Sequence, residues 1–183
     1  MLTKKITNNT ISLSDTSGKV WCEIACDESS CVLTLFAQNI PEDYRGKKNT
    51  DTVKCAVSCA SPTEAQRCQE ALTTLLTNGY NEPFNWYIAL DIEDLMKIFS
   101  DEMSFCELTV DTDKLETFSE AISNLKITRK AFIYIRANED TLDGYVLDSL
   151  LTPSCLSEEI ELWSQYSIEE MPLGSVIVDM WYC

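Results

Sequence analysis

Polar and apolar residues alternate along several short stretches of the first sixty residues, a pattern typical of half-buried β-strands. Every second residue from Val20 to Cys26 is apolar or cysteine, and the same holds from Val53 to Cys59. Turn-forming residues separate these stretches. The predicted strands, which together favour an antiparallel β-meander, cover residues 5–13, 19–26, 31–37 and 53–59.

The clearest helix signal follows this meander. Ser61 is a predicted N-cap, Pro62 takes the first helical position, and Glu64 completes a capping box. Apolar residues then recur at helical spacing over three turns, and the pair Asn78-Gly79 predicts the helix end. The first eighty residues therefore predict a β-meander followed by one helix.

The pattern of the second half switches repeatedly between strand and helix periods. Predicted strands cover residues 84–90, 104–110, 129–137 and 175–182, and predicted helices cover residues 91–103, 113–125, 139–151 and 156–166. This alternation predicts a mixed sheet with three to four helices. The expected fold class is α+β, either as two subdomains, residues 1–80 and 81–183, or as one compact unit.

Negative charge is concentrated in the second half of the chain. Thirty acidic residues against fourteen basic ones give a net charge of −16. Residues 1–80 hold nine acids and eight bases, a net charge of −1, whereas residues 81–183 hold twenty-one acids and six bases, a net charge of −15. Because this half also contains many aromatic residues, which acidic disordered tails lack, we interpret it as a folded body with an acidic surface.

The last quarter of the sequence has no counter-charge, because no lysine or arginine occurs between Ala137 and Cys183. Helical neighbours three or four residues apart have Cβ atoms about 5–6 Å apart, and duplex DNA carries one charge per ~1.7 Å of its axis. Carboxylates on the exposed side of a helix over residues 156–166 would therefore imitate a row of phosphates. We expect the partner contacts at Glu158, Glu159, Glu161, Glu169 and Glu170, followed by Asp140, Asp143 and Asp148.

Two short basic segments interrupt this acidic pattern. Arg45, Lys47 and Lys48 lie in the longest predicted loop, where they are either solvated or in contact with a partner or a nucleic acid. The segment Lys126–Arg136 holds four of the six bases of the second half. We expect these four bases to pair with acids of the same molecule, and the alternative is a small basic patch for DNA or RNA.

The nine cysteines lie mainly on predicted strands, where cysteine behaves as a small buried hydrophobe. Two cysteines four residues apart on one strand are roughly 13 Å apart, too far to ligate one ion. No CxxC motif occurs, and the sequence predicts no metal and no cofactor, although cysteines of different strands could converge because a Cys-only zinc site needs no histidine. Cys183, at the end of the chain, is the expected exposed thiol.

The sequence contains no signal of export or membrane insertion. Its first residues lack the apolar core of a signal peptide, and no run approaches the ~20 apolar residues of a membrane span. We therefore expect a cytoplasmic protein with no membrane partner. Its cysteines would then be mostly reduced thiols, and their odd number argues against a complete disulfide framework.

Sequence motifs for catalysis are scarce. The chain has no histidine, which excludes histidine-based triads and histidine-ligated metals, and it has no P-loop, GxGxxG or GxSxG motif. The nearest candidate is Asp111 with Asp113 after a predicted strand, in the style of a divalent-metal site, but Asp113 is also the expected N-cap of the following helix. We therefore expect a protein that is not an enzyme.

In size, acidity and lack of catalytic motifs the chain is similar to counter-defence proteins of phages and mobile elements, including anti-CRISPR proteins and antirestriction DNA mimics. This similarity implies a non-catalytic inhibitor that binds a basic nucleic-acid-handling protein, a CRISPR effector or a restriction nuclease. One alternative is an immunity-type protein that neutralises a basic toxin. A second alternative is a divalent-metal-dependent enzyme, and the acidity could also serve solubility alone.

Overall fold

The computed structural model of the protein describes residues 2–42, 44, 51–81 and 91–183, and of residues 79–81 it describes the backbone alone. These residues form nine strands and four α-helices, which confirms the predicted α+β class. The predicted strand over residues 84–90 and the basic residues Arg45, Lys47 and Lys48 lie outside the described residues. No helix within the described ranges is long and apolar enough to cross a membrane.

The elements follow one another as a β-rich first part and an alternating second part. The helices are α1 (Pro62–Asn81), α2 (Ile92–Ile98), α3 (Leu115–Ser123) and α4 (Gly144–Leu151). The strands are β1 (Thr3–Thr7), β2 (Thr10–Ser14), β3 (Val20–Cys26), β4 (Ser30–Leu35), β5 (Val53–Ser58), β6 (Met103–Asp111), β7 (Lys130–Ala137), β8 (Glu161–Ile168) and β9 (Ser175–Tyr182).

The described residues belong to two compact units. The first contains the described residues up to 81 together with 91–105, and the second contains residues 106–183. Strand β6 therefore begins in the first unit and continues in the second. The division into residues 1–80 and 81–183, which was placed at the predicted end of the first helix, stays a prediction.

In the first unit, β1 to β5 are antiparallel neighbours in chain order, as the meander prediction requires. The start of β6 adds a short parallel pairing to β5. Helix α1 packs on β3 and β4 through the predicted apolar stripe. The single strand predicted over residues 5–13 is wrong, because the chain turns at Asn8, whose φ of 51° lies in the left-handed region that asparagine tolerates.

In the second unit, β7 is the central strand. It pairs in parallel with β8 and antiparallel with β9, so the predicted mixed sheet is present. Ile133 and Ile135 of β7 lie in one apolar cluster with Phe118 and Ile122 of α3 and with Leu150 of α4. Helices α3 and α4 thus cover one face of this part of the sheet.

The predicted helix over residues 156–166 is wrong. Leu156, Ile160 and Trp163 have helical spacing, yet Glu161–Ile168 forms strand β8, paired along its whole length with Lys130–Ala137. Short apolar patterns fit both structures, and β7 offers eight parallel partners that local periodicity cannot anticipate. The carboxylate row that this helix would have displayed is therefore absent.

The cysteines depart from the prediction at two places. Cys26 and Cys31 lie opposite one another on β3 and β4 and form a disulfide, whereas the other seven cysteines take part in no disulfide. Cys26 is half-buried and oxidised rather than a buried thiol. Cys155 is exposed and Cys183 only half-exposed, so the expectation that Cys183 is the exposed thiol is wrong.

Candidate partner-binding site

Three connections of the second unit meet at one end of its sheet. Thr112, after β6, donates its N–H to the carbonyl of Gly174, at 3.0 Å, and Gly174 donates its N–H to the hydroxyl of Thr141, after β7, at 3.2 Å. The Asn138 side chain donates to the carbonyl of Met171, after β8, at 3.3 Å. These bonds join the segments that follow β6, β7 and β8 into one continuous surface.

This surface is strongly acidic, and we call it the acidic end. Six of its seven carboxylate side chains are exposed and one, Glu169, is half-buried. Lys114 is the basic residue within it, with its ammonium 3.6 Å from the carboxylate of Asp111. The acidic end comprises Asp111, Asp113, Glu139, Asp140, Asp143, Glu169 and Glu170.

Some of these carboxylates have local structural roles. Asp143 caps α4 by accepting the Val146 N–H at 2.8 Å, as its position before an apolar run suggests. The predicted N-cap role of Asp113 is wrong, because Lys114 takes the N-cap position of α3 without a side-chain cap bond. Asp111 caps the 3-10 turn Thr112–Lys114 instead, by accepting the Asp113 N–H at 3.1 Å. The remaining exposed carboxylates of the acidic end carry charge that no cap accounts for.

The predicted contact residues do not form one face. Glu158, Glu159 and Glu161 lie where β7 and β8 begin, since the Glu161 N–H donates to the carbonyl of Arg129 at 2.8 Å. The eight residues of β8 separate them from Glu169 by roughly 25 Å. The exposed bases Lys126 and Arg129 precede β7 at this opposite end, which therefore has counter-charge nearby that the linear sequence does not reveal.

A buried ionic network lies in the interior of the same unit. Arg136 of β7 donates to both carboxylate oxygens of Asp179, at 2.7 and 3.1 Å, and to Glu107 at 3.1 Å. The Asp179 side chain is fully buried, and those of Arg136 and Glu107 are 13% and 14% exposed. The expected pairing of the bases within the molecule is thus confirmed for Arg136.

A hydroxyl relay connects this interior with the acidic end. The buried Tyr134 hydroxyl donates to Ser167 at 2.9 Å, and the Ser167 hydroxyl donates to Glu169 at 3.2 Å. Glu169 is therefore held in place, unlike its exposed neighbour Glu170. Arg136 itself donates its hydrogen bonds to Asp179 and Glu107 in the interior rather than to the exposed carboxylates of the acidic end.

Burial and crowding by acids raise the pKa of Asp179 to about 7. Desolvation is the main cause; Arg136 opposes it, while Glu107 and Glu169 add to it. Burial alone would lower the pKa of the Arg136 guanidinium, but the carboxylates of Asp179, Glu169 and Glu107 outweigh it and raise this pKa. Three carboxylates thus share one guanidinium, and the folded state favours a protonated Asp179 below neutral pH.

We therefore expect the protein to lose stability as the pH rises from about 4 to 7. The folded pKa of Asp179 lies above its unfolded value, so over this window the folded state binds more protons than the unfolded state. At 1.36 kcal/mol per pKa unit the loss is at most about 4 kcal/mol. Urea unfolding at a series of pH values measures it.

Asp179→Asn is the matched variant, because a neutral carboxamide replaces the titrating group at nearly constant volume. Its stability should depend less on pH between about 4 and 7 than that of the wild type. Parallel curves for the two proteins would show that Asp179 does not titrate in this window.

A groove between α3 and α4 adds contact surface beside the acidic end. It has a volume of about 450 Å³ and lies between Glu116 in the first turn of α3 and Asp148 of α4. Tyr145, in the first turn of α4, lines it and is 74% exposed. Asp148 was a predicted contact, whereas Tyr145 was missed.

Known proteins share little with this chain. No protein-family profile matches the chain. No curated protein sequence matches it either. Among solved structures the chain is similar to a tryptophan-to-tyrosine mutant of FtsZ from M. jannaschii, with a TM-score of 0.47 and 16% sequence identity. The alignment covers 64% of this chain and 39% of the FtsZ chain, and at this TM-score the similarity carries no argument about function.

Proposed function

We propose that the protein is a non-catalytic inhibitor that binds a basic, nucleic-acid-handling protein, a CRISPR effector or a restriction nuclease, as a nucleic-acid mimic or steric blocker. It would serve phages or mobile elements in counter-defence. The observation that carries the proposal is the acidic end, where the loops after three strands bring seven carboxylates together around a single lysine.

Charge complementarity explains how such a surface would act. A groove that binds nucleic acid is lined with lysine and arginine, which release counter-ions when they meet phosphates. Fixed carboxylates engage the same side chains but present no base edge and no phosphodiester bond. Occupation of the groove by the acidic end would therefore exclude the nucleic acid without offering a substrate.

Exposed apolar side chains beside the charge support a protein partner. Tyr145 lines the α3–α4 groove, and Leu173, in the turn before β9, is 68% exposed. Tyrosine is enriched among residues that dominate binding energy, and charged groups around it set orientation and association rate. An acidic surface that served solubility alone would need no such neighbours.

Two other functions fit the sequence less specifically. An immunity-type protein would use the same surface against one cognate basic toxin, and a partner that nucleic acid fails to displace would favour it. A divalent-metal-dependent enzyme would need open carboxylates at Asp111, yet Asp111 accepts the Asp113 N–H and lies 3.6 Å from the Lys114 ammonium.

The test is capture of partners from a lysate that contains CRISPR and restriction machinery, with elution by a salt gradient and competition by duplex DNA or guide RNA. The variant Glu139→Lys, Asp140→Lys and Glu170→Lys reverses the charge of three of the seven carboxylate positions of the acidic end. We expect it to lose affinity for the captured nuclease by on the order of 100-fold, because like charges then face one another.

The matched control is Glu158→Lys, Glu159→Lys and Glu161→Lys, which changes the net charge equally at the opposite end of β7 and β8. It should bind within a few-fold of the wild type. Equal losses in both variants would point to net charge alone, and unchanged binding of the first variant would reject the acidic end as the contact surface.

A further inference from the structure

Four cysteines from three segments of the first unit converge under α1, and we call them the cysteine cluster. Cys31 is on β4, Cys59 follows β5, and Cys68 is in the second turn of α1; their sulfur atoms lie within 4.8 Å of one another. Cys26 joins them through its bond to Cys31. Among the described residues, this cluster contains the one group of three or more metal-ligating side chains within that distance.

The spacing of these sulfur atoms matches a thiolate metal site. Four sulfur atoms that each lie about 2.3 Å from one zinc ion, in tetrahedral geometry, are roughly 3.8 Å apart. Cys31, Cys59 and Cys68 need only side-chain adjustments to reach this separation, and all three are buried. Three rigid elements, a hairpin, a strand end and a helix, hold them there.

The cysteine cluster also lies near the beginning of α1, because Cys59 precedes this helix and Cys68 is in its second turn. Helix α1 begins at Pro62, between these two cysteines, so its N-terminal N–H groups favour negative charge nearby. Backbone N–H groups of this kind commonly support thiolate ligands.

A path for a cation leads to the cluster. A cavity of about 380 Å³ reaches Cys26 and is lined by Asp27, Glu28 and Gln66 among others. Its two carboxylates attract a divalent ion at the entrance, and Cys26 is the half-buried member of the cluster that faces this cavity. The inner three sulfur atoms would then complete the coordination.

We propose that the cysteine cluster binds one zinc ion as a tetrahedral four-thiolate site when the disulfide between Cys26 and Cys31 is reduced. Two molecules of a low-molecular-weight thiol supply the electrons and are oxidised to their own disulfide, while each cysteine of the pair becomes a thiol. Zinc then displaces the four thiol protons to solvent. The inference is independent of the proposed function.

Cobalt(II) is the probe, because a four-thiolate cobalt site absorbs intensely between 300 and 400 nm and between 600 and 750 nm. The full-length protein, reduced with a phosphine that offers no thiol ligand, is titrated without oxygen. We expect both bands to saturate at one cobalt per chain and to disappear when zinc is added. The oxidised protein should give neither band.

Two variants and two controls locate the site. Cys59→Ser and Cys68→Ser should reduce the charge-transfer band at least tenfold, whereas Cys55→Ser, at an equally buried cysteine, and Cys155→Ser should keep it. Circular dichroism of the metal-free proteins checks their folding. Absence of the bands in the reduced wild type, or their persistence in Cys68→Ser, would overturn the proposal.

Mass spectrometry after alkylation keeps the test decisive if a variant fails to fold. In the reduced wild type, zinc should protect the four cysteines of the cluster from alkylation, while Cys155 reacts at the same rate with or without the metal. Equal reaction of all four cysteines in both conditions would contradict zinc binding. Protection of the four cysteines would contradict it as well if the protein did not bind about one zinc ion per chain.

Discussion

Replacement of Arg136 by methionine is expected to lower the free energy of unfolding by about 3–5 kcal/mol at pH 8. The substitution leaves the fully buried Asp179 beside Glu107 with no cation to compensate them. Removal of one partner from a buried ion pair destabilises the folded state far more than replacement of both partners by apolar residues. Urea unfolding monitored by circular dichroism measures the change.

The dependence on pH distinguishes this cause from lost packing. At pH 5 the loss should be smaller, because Asp179, whose pKa is raised, is already protonated at that pH and carries no charge for Arg136 to compensate. Lys126→Met removes the same charge at an exposed site and should cost no more than about 0.5 kcal/mol. The double variant Arg136→Met, Asp179→Leu should recover much of the stability. An equal loss of stability in Arg136→Met at pH 5 and pH 8 would contradict the electrostatic explanation.

Phe118→Ala is expected to destabilise the protein by about 3–5 kcal/mol. Phe118 is 2% exposed and lies in the apolar cluster between α3 and the sheet, so its removal leaves a cavity as well as lost apolar burial. The neighbouring α3–α4 groove depends on the same contacts. Denaturant unfolding gives the loss, and partner binding in the capture assay should weaken with it.

Two further substitutions in α3 serve as controls. Phe118→Leu keeps most of the buried volume and should cost less than half as much as the alanine variant. Glu120→Ala, at an exposed position of the same helix, should change stability by no more than about 0.5 kcal/mol. Equal losses for Phe118→Ala and Glu120→Ala would show that helix propensity, rather than core packing, determines the effect.

Local pattern was sufficient for most of the secondary structure. Strand β9 has the predicted bounds, Ser175–Tyr182, and α1 begins at the predicted Pro62, because alternation and capping residues act over a few neighbours. Helix α1 runs to Asn81, beyond the predicted stop at Asn78-Gly79. Strand β8 was missed because its state depends on pairing with β7, which is distant in sequence.

The candidate sites depend still more on distant contacts. Nothing in the sequence places Glu139 beside Glu170, since the hydrogen bonds of Asn138 and Gly174 bring their loops together. The sequence also suggested an uncompensated stretch from Glu158 onward, whereas Arg129 lies at that end in the folded chain. The sequence left open whether cysteines of different strands converge, and the packing of α1 on β3 and β4 is what brings Cys68 to Cys31 and Cys59.

The position of β8 at the end of the strand order has a consequence for self-association. One side of β8 is hydrogen-bonded to β7, and among the described strands no other pairs with its second side. Such an edge can serve as a template for another chain, with the risk of aggregation. Glu161 begins this strand and Glu169 and Glu170 follow it, so two such edges would meet with like charges at both ends. Carboxylates that could recruit a basic partner therefore also discourage pairing with a second copy of the protein.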